Sequence, residues 1–330
     1  MARPVNANLR LNLTGSERDA AARSDRYRTA IDMAAYADTH GFASVNVEEH
    51  HVAENGWLPS PLTMAAAIAA HTERVNIGIM ALLVSLYDPI RLAEDIAVVD
   101  LLSQGRLTFI AGMGYRPIEF HVTNKPWTQR GEWMDHVLET LLSAWGEQPF
   151  DYRGERVQVT PKPYSSPHPN FLVGGMSRPA ARRAARFGLP FSPPVANPEL
   201  EAYYYEQLAA YGNEGYVYAP PADFTLLFIH EQPDRAWSEL GQYFLNEALE
   251  YSSWQAPGIE RPLEFRDPTI ESLRQDKRYE IITPAECLQR HRANPDLFAA
   301  IHPLVGGMPL AQAWQCLELY CEQVLGALTT

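Results

Sequence analysis

RVNIGIMALLVSLYDPIRLAEDIAVVDLLSQGRLTFIAG, residues 74–112, decides the architecture. Its first part, VNIGIMALLV (75–84), is a near-continuous apolar run bounded by turn residues, the pattern of a strand buried on both faces of a parallel sheet. Pro89 opens the helical stretch PIRLAEDIAVVDLLS, Gly105 stops it, and RLTFIAG supplies the next strand. Strand, helix and strand in one continuous stretch make a βαβ unit.

The same alternation extends in both directions. Upstream, VNANLRLNL (5–13) is strand-like, and RYRTAIDMAAYADTH (26–40) places Ile31, Ala34, Ala35 and Asp38 at helical spacing before Gly41. SVNVEE follows as a strand, and LTMAAAIAAHT (62–72) as an alanine-rich helix entered through Pro59 and Pro61. Downstream, EWMDHVLETLLSAW carries an i, i+4 stripe of Trp133, Val137, Leu141 and Trp145. Periodicity breaks from Gln148 to Asn170, where PFDYRGERVQVTPKP predicts a hairpin around Gly154 and YSSPHPN is turn-rich. It resumes with FLVGG, RPAARRAARFG, LPFS, ELEAYYYEQLAAYG, DFTLLFIH and AWSELGQYFLNEALEY. A second stretch, from Ser252 to about Ile282, is charged and reads as irregular; TPAECLQRHR, LFAAIHPL and LAQAWQCLELYCEQVLGAL complete the chain as helix, strand and helix. Eight strand candidates alternating with helices predict an α/β (β/α)8 TIM barrel. It would be a single domain over 1–330, with insertions near 148–170 and 252–282. An open doubly wound sheet has the same alternation and is the competing reading.

Composition narrows the partners. A formal charge of −13 over 330 residues, with no basic run, excludes non-specific binding to nucleic acid or anionic lipid, which needs clustered Lys and Arg. No segment approaches the roughly 18 apolar residues of a membrane helix, and MARPVNANLRLNLTG lacks a signal-peptide core, so a cytoplasmic protein acting on a small molecule is expected. Cys287, Cys316 and Cys321 have no C-x-x-C spacing and read as buried thiols.

In either fold, ligands lie at the C-terminal ends of the strands. Glu48, Glu49, His50 and His51 end the second strand, where a carboxylate can orient an imidazole for proton transfer. Neighbouring strand residues face opposite ways, so one histidine faces the cavity, or both are hydrogen-bonded shell groups. AGMGYRPIEF (111–120) follows the fourth strand. Gly112 and Gly114 permit close backbone approach, but Pro117 replaces the last glycine of a dinucleotide fingerprint and no helix is expected to follow at once. The other reading is a tight turn with Tyr115 and Phe120 covering the barrel mouth. In LVGGMSRPAARRAA, a glycine pair and Ser177 precede a helix whose first turn holds Pro179, which suits phosphate at a helix N-terminus, or a plain N-cap. Arg130 could add a charge there. The Tyr and Trp residues around 203–218 and 237–254 read as helix packing. A metal-dependent hydrolase would instead use Glu49, His50 and His121 with His168 or His302.

GFASVNVEEHH, the 74–120 segment, the Arg130 region and FLVGGMSRPAARRAARFGLP occur here in one order. Over about residues 41–192 the chain resembles the luciferase-like flavin-dependent monooxygenases, the superfamily of bacterial luciferase, which also contains users of the deazaflavin F420. The resemblance implies that His50 lies beside the reactive edge of the flavin as an acid/base, supported by Glu49 and His51. It places Met80 and Ala81 at a non-prolyl cis peptide behind the ring, Gly112 and Met113 beside the ring, and Tyr115 at the pocket wall. Gly174, Gly175, Met176 and Ser177 match the ribityl and phosphate loop, and Arg130 a phosphate-reaching arginine. It further implies reduced FMN supplied by a separate flavin reductase, oxygenation of a small-molecule substrate, and a homodimer in which Ala65, Ala66, Ala69 and Ala70 let helices approach. F420-dependent hydride transfer is the alternative. Where bacterial luciferase has a cysteine and then an arginine, this chain has Gly112 and Met113, so light emission from a long-chain aldehyde is not expected.

Overall fold

The computed structural model describes residues 5–15, 19–254 and 265–329. Strand β1 (Ala7–Leu11), helix α1 (Ala20–Thr39), β2 (Ser44–Val47), α2 (Pro61–His71), β3 (Asn76–Leu82), α3 (Pro89–Ser103) and β4 (Leu107–Ala111) come first. Next are α4 (Pro117–Val122), α5 (Arg130–Trp145), β5 (Phe150–Tyr152), β6 (Glu155–Val157), β7 (Asn170–Gly174), α6 (Arg178–Phe187), β8 (Phe191–Ser192) and α7 (Pro198–Tyr211). The last are β9 (Leu226–Ile229), α8 (Pro233–Ser253), α9 (Ile270–Asp276), β10 (Tyr279–Ile282), α10 (Pro284–Ala293), β11 (Ala299–Ile301), α11 (Leu310–Leu319) and α12 (Gly326–Thr329), the final two joined through a π turn at Tyr320–Leu325.

Nine strands form one sheet in the order β10-β9-β11-β1-β2-β3-β4-β7-β8, and every ladder in it is parallel. The apolar runs explain this, because Leu11, Val47, Ile79, Phe109 and Phe171 stand in successive register and are all buried. Proline at the first turn starts α2, α3, α4, α7, α8 and α10. Left-handed Gly188 and Gly212 end α6 and α7.

Three elements differ from expectation. Helix α1 starts at Ala20 rather than Arg26 because the Asp19 side chain accepts the Ala21 amide, and its buried apolar face is Ala30, Met33, Ala34 and Ala37. The stretch predicted as irregular between 252 and 282 contains α9 and β10, while its residues 255–264 lie outside the described ones. The apolar run of β10 is only YEII, directly after RQDKR, so the charges hid it. A helix also does follow AGMGYR at once, α4, started by Pro117.

The 148–170 insertion is as expected, a separate antiparallel pair with Tyr152 opposite Glu155. Arg153 and Gly154 both take positive φ, the two-residue turn that matches strand twist. Lys162 donates to the Ala144 carbonyl at 2.9 Å, and the Ser165 amide to Asp100 at 2.7 Å, pinning the insertion to α5 and α3.

Candidate active site

The polypeptide that leaves β2 builds the site. The Glu49 carboxylate is buried and acts as an anchor: it accepts the Leu83 amide at 2.6 Å, the Tyr87 hydroxyl, and a hydrogen bond from His51 Nε2 at 2.8 Å. This ties the end of β2 to the turn after β3. The His51 imidazole is desolvated, which lowers its pKa, but the bond to Glu49 and the charges of Glu49 and Glu119 prevail and raise it.

His50 points away from its neighbour. Its Nδ1 lies 3.0 Å from Glu119 Oε1, and its Nε2 lies 3.3 Å from the Tyr115 hydroxyl. The same Glu119 oxygen accepts the His51 amide at 3.0 Å and Arg116 Nη1 at 3.1 Å, while Arg116 Nη1 also donates to the His51 carbonyl at 2.6 Å. Burial pushes the Glu119 carboxyl up. The His50 hydrogen bond and charge, the His51 amide and the Arg116 guanidinium outweigh it and hold the group below the usual carboxylate range. Aromatic rings enclose His50: Trp254 at 4.4 Å between centroids, Trp57 at 5.2 Å, Tyr115 at 5.5 Å and Tyr251 at 6.5 Å. The Arg116 guanidinium stacks over Trp254 at 4.1 Å.

Below this cluster lies a buried ionic network. Arg10 on β1 pairs with Glu48 and, at 2.8 Å, with Glu247 on α8. Glu247 also accepts from Asn12 at 2.6 Å, Tyr279 at 2.9 Å and His302 Nε2 at 3.0 Å. Burial raises the Glu247 carboxyl, but the charges of His302 and Arg10 overcome that and hold it well below the usual range.

Other predicted positions are spread along neighbouring strand ends. The Met80–Ala81 peptide is cis, at an irregularity in the β3–β4 ladder. A Cβ on Gly112 would lie 3.0 Å from that of Ala81, so the end of β4 packs directly on this bond. Met113 is half-buried beside the main core. At the end of β7, a Cβ on Gly174 would meet Ile110 at 2.6 Å, and one on Gly175, at φ +152°, would meet Ala180 at 2.5 Å. Close packing therefore accounts for both glycines without a ligand. Met176 is half-buried. Ser177 caps α6, accepting the Ala180 amide at 3.4 Å. Arg130 donates to the Trp127 carbonyl at 2.9 Å and lies 4.0 Å over that indole, with no hydrogen bond to the Gly174–Ser177 loop among the described residues.

The scattered histidines do not join this site. His302 pairs with Glu247, His168 bonds the Pro169 carbonyl, and His121 is exposed. No group of His, Cys, Asp and Glu among the described residues has metal-holding geometry. Sequence reasoning missed Glu119 and Arg116, and it assigned Tyr251 and Trp254 to helix packing although they stand against His50. Glu119 had one legible signal, an acid between the apolar Ile118 and Phe120 just after a strand end.

The sequence profile of luciferase-like monooxygenases matches residues 10–290. The chain belongs to that family. The alkanal monooxygenase beta chain of Photorhabdus luminescens is 26% identical over 166 residues, which are 48% of this chain and 50% of the relative. The chain thus spans about half the length of the curated relatives it matches. Likeness to solved structures extends over the whole fold. The monooxygenase RslO1 from Streptomyces bottropensis superposes with a TM-score of 0.73 at 22% identity, covering 98% of this chain and 99% of the other. The oxygenating constituent of 3,6-diketocamphane monooxygenase from Pseudomonas putida, solved with FMN, gives 0.69 at 17% identity, covering 99% of each. An F420-dependent secondary alcohol dehydrogenase holding an F420-acetone adduct gives 0.67 at 15%, covering 99% of each. The nine-stranded parallel sheet is accordingly that of a luciferase-like (β/α)8 barrel. Among the described residues, no helix is long and apolar enough to cross a membrane.

Proposed function

We propose that this chain is the oxygenating component of a two-component monooxygenase, which takes reduced FMN from a separate flavin reductase and uses dioxygen to oxygenate a small organic substrate. The observation that carries this is His50: a buried imidazole at a strand end, tied through Nδ1 to a carboxylate, with Nε2 beside Tyr115. The residues fit a flavin. Ser177 and the α6 N-terminus offer a hydroxyl and helix-end amides to a phosphate, Arg130 is a candidate cation, and the Ala81 and Gly112 positions pack closely enough to bring two strand-end backbones together. When bound, the reduced flavin supplies the electrons that activate oxygen.

The protein's share is orientation and proton control. His50 holds or moves a proton at Nε2, Glu49 and His51 fix the strand end that carries it, and Trp57, Tyr251 and Trp254 keep water from the imidazole. The site set is therefore His50, Glu49 and His51 for catalysis, with Met80, Ala81, Gly112, Met113, Tyr115, Arg130, Gly174, Gly175, Met176 and Ser177 around the cofactor. The reading takes 1–330 as one cytoplasmic domain. A second copy of the chain is the proposed partner: Ala65 and Ala69 are already buried, whereas α3 exposes Val98, Leu101 and Leu102. The second reading, hydride transfer with F420, is favoured by the likeness to the F420-dependent dehydrogenase.

An anaerobic titration with reduced FMN against reduced F420, followed by air, separates the two. Preferential FMN binding with oxygen-dependent spectral change supports the monooxygenase. Tight F420 binding without oxygen reaction assigns hydride transfer, and binding of neither overturns both.

A further inference from the structure

We infer that Glu119 is a positioning residue that fixes His50 as the Nδ1–H tautomer, leaving Nε2 as the basic nitrogen of that ring. An ionised carboxylate only accepts, so the contact of 3.0 Å between Glu119 Oε1 and His50 Nδ1 requires the proton on Nδ1. In a neutral imidazole the other nitrogen then carries the lone pair. That nitrogen faces the Tyr115 hydroxyl at 3.3 Å, which can donate to it.

Glu119 is itself immobilised, which makes it more than a neighbour. Three donors converge on Oε1: the His50 ring, the His51 amide and Arg116 Nη1. The side chain is fully buried, and its second oxygen has no hydrogen-bond partner among the described residues. A carboxylate satisfied on one side only has been arranged around Oε1. Arg116 closes the loop by gripping the His51 carbonyl, so α4 holds the peptide after His50 and its ring at once. A purely structural clamp between α4 and the β2 end would need the His51 amide and Arg116 alone; the ring contact adds the choice of nitrogen.

For proton transfer, the consequence is directional. A proton leaving a bound substrate goes to Nε2, directly or through the Tyr115 hydroxyl, and the resulting imidazolium keeps its Nδ1–H on the Glu119 carboxylate. This use of His50 rests on the proposed function, but the tautomer does not, so it is tested without cofactor or substrate.

The experiment is nitrogen NMR of the full chain labelled with 15N-histidine at alkaline pH, with the His50 signals assigned by their loss in His50→Gln. Wild type is expected to show a protonated Nδ1 in slow exchange with water and an unprotonated Nε2. Glu119→Ala should lose the exclusive Nδ1–H form, and Glu119→Gln, whose amide oxygen is steered to the same donors, should restore it. A wild-type Nε2–H ring, a rapidly exchanging Nδ1 proton, or an unchanged tautomer in folded Glu119→Ala overturns the inference. If Glu119→Ala does not fold, the wild-type tautomer and exchange rate still decide it. Failure of FMN and F420 binding would leave this result untouched and count against the proposed function alone.

Discussion

Replacing Glu247 by alanine tests the ionic network beneath the site. Glu247 is fully buried and accepts hydrogen bonds from Arg10, Asn12, Tyr279 and His302. Hydrogen bonds to a charged group contribute about 1.5–3 kcal/mol each, so four amount to roughly 6–12 kcal/mol gross. Desolvating the carboxylate costs several kcal/mol of that. The alanine variant also leaves Arg10 buried with Glu48 as its remaining carboxylate. Removing one partner of a buried pair costs about 3–5 kcal/mol, which agrees with the difference. At roughly 2.1 cal/mol/K of unfolding entropy per residue, a chain of this length loses about 4–7 °C in Tm.

Calorimetry and urea unfolding at neutral pH measure the loss, and pH adds a sign. Because the folded carboxyl titrates below its unfolded value of about 4.3, its stabilisation is present above that value and fades as pH falls through the folded one. The gap between wild type and Glu247→Gln should therefore narrow from pH 7 to pH 3. An alanine variant within about 1 kcal/mol of wild type, or a gap that widens in acid, would refute the reasoning.

Two further outcomes follow from burial and close approach. Cys287, Cys316 and Cys321 are buried and burial pushes all three thiols up, Cys287 and Cys321 to about 12, so the native protein should react negligibly with a disulfide reagent at pH 8 and yield three thiols on denaturation. Rapid labelling of the folded protein would contradict this. Gly306 has φ +53°, and a Cβ there would sit 1.7 Å from the Tyr243 carbonyl oxygen, so Gly306→Ala should cost at least about 1–3 kcal/mol and depress soluble yield. A variant as stable as wild type in thermal melts would show that α8 moves aside freely.

The sequence disclosed elements whose causes are local. The apolar runs of β1 to β4, the proline starts of α2 and α3 and the Gly154 hairpin need only neighbours along the chain, and they were read correctly. The EEHH stretch lies directly after β2, as its local pattern predicted. What it could not disclose are pairings across the barrel. Glu119 meets His50 from 69 residues away, and Glu247 meets Arg10 from 237. One trace of the second was present: Asn8, Arg10 and Asn12 alternate with Ala7, Leu9 and Leu11, and all three polar residues are buried. In a parallel sheet covered on both faces, alternating polarity signals an internal polar cluster and not a wet surface. Tyr251 and Trp254 do pack into the core, but helical spacing shows only that residues share a face, without showing that this face meets His50.

Glu247, Tyr251 and Trp254 lie at i, i+4 and i+7 of the same helix and its cap. Glu247 locks the C-terminal part of the helix to Arg10, Tyr279 and His302, while Tyr251 and Trp254, one and two turns further on, form a wall around His50. Helix α8 thus works as a lever whose fulcrum is electrostatic. Loosening a distant fastening, such as Tyr279 or His302, would tilt the wall without touching a reacting group, so such changes should register in the choice of substrate before they register in bond making. A lineage seeking new substrates while keeping its stability would leave α8 alone and remodel the opposite wall.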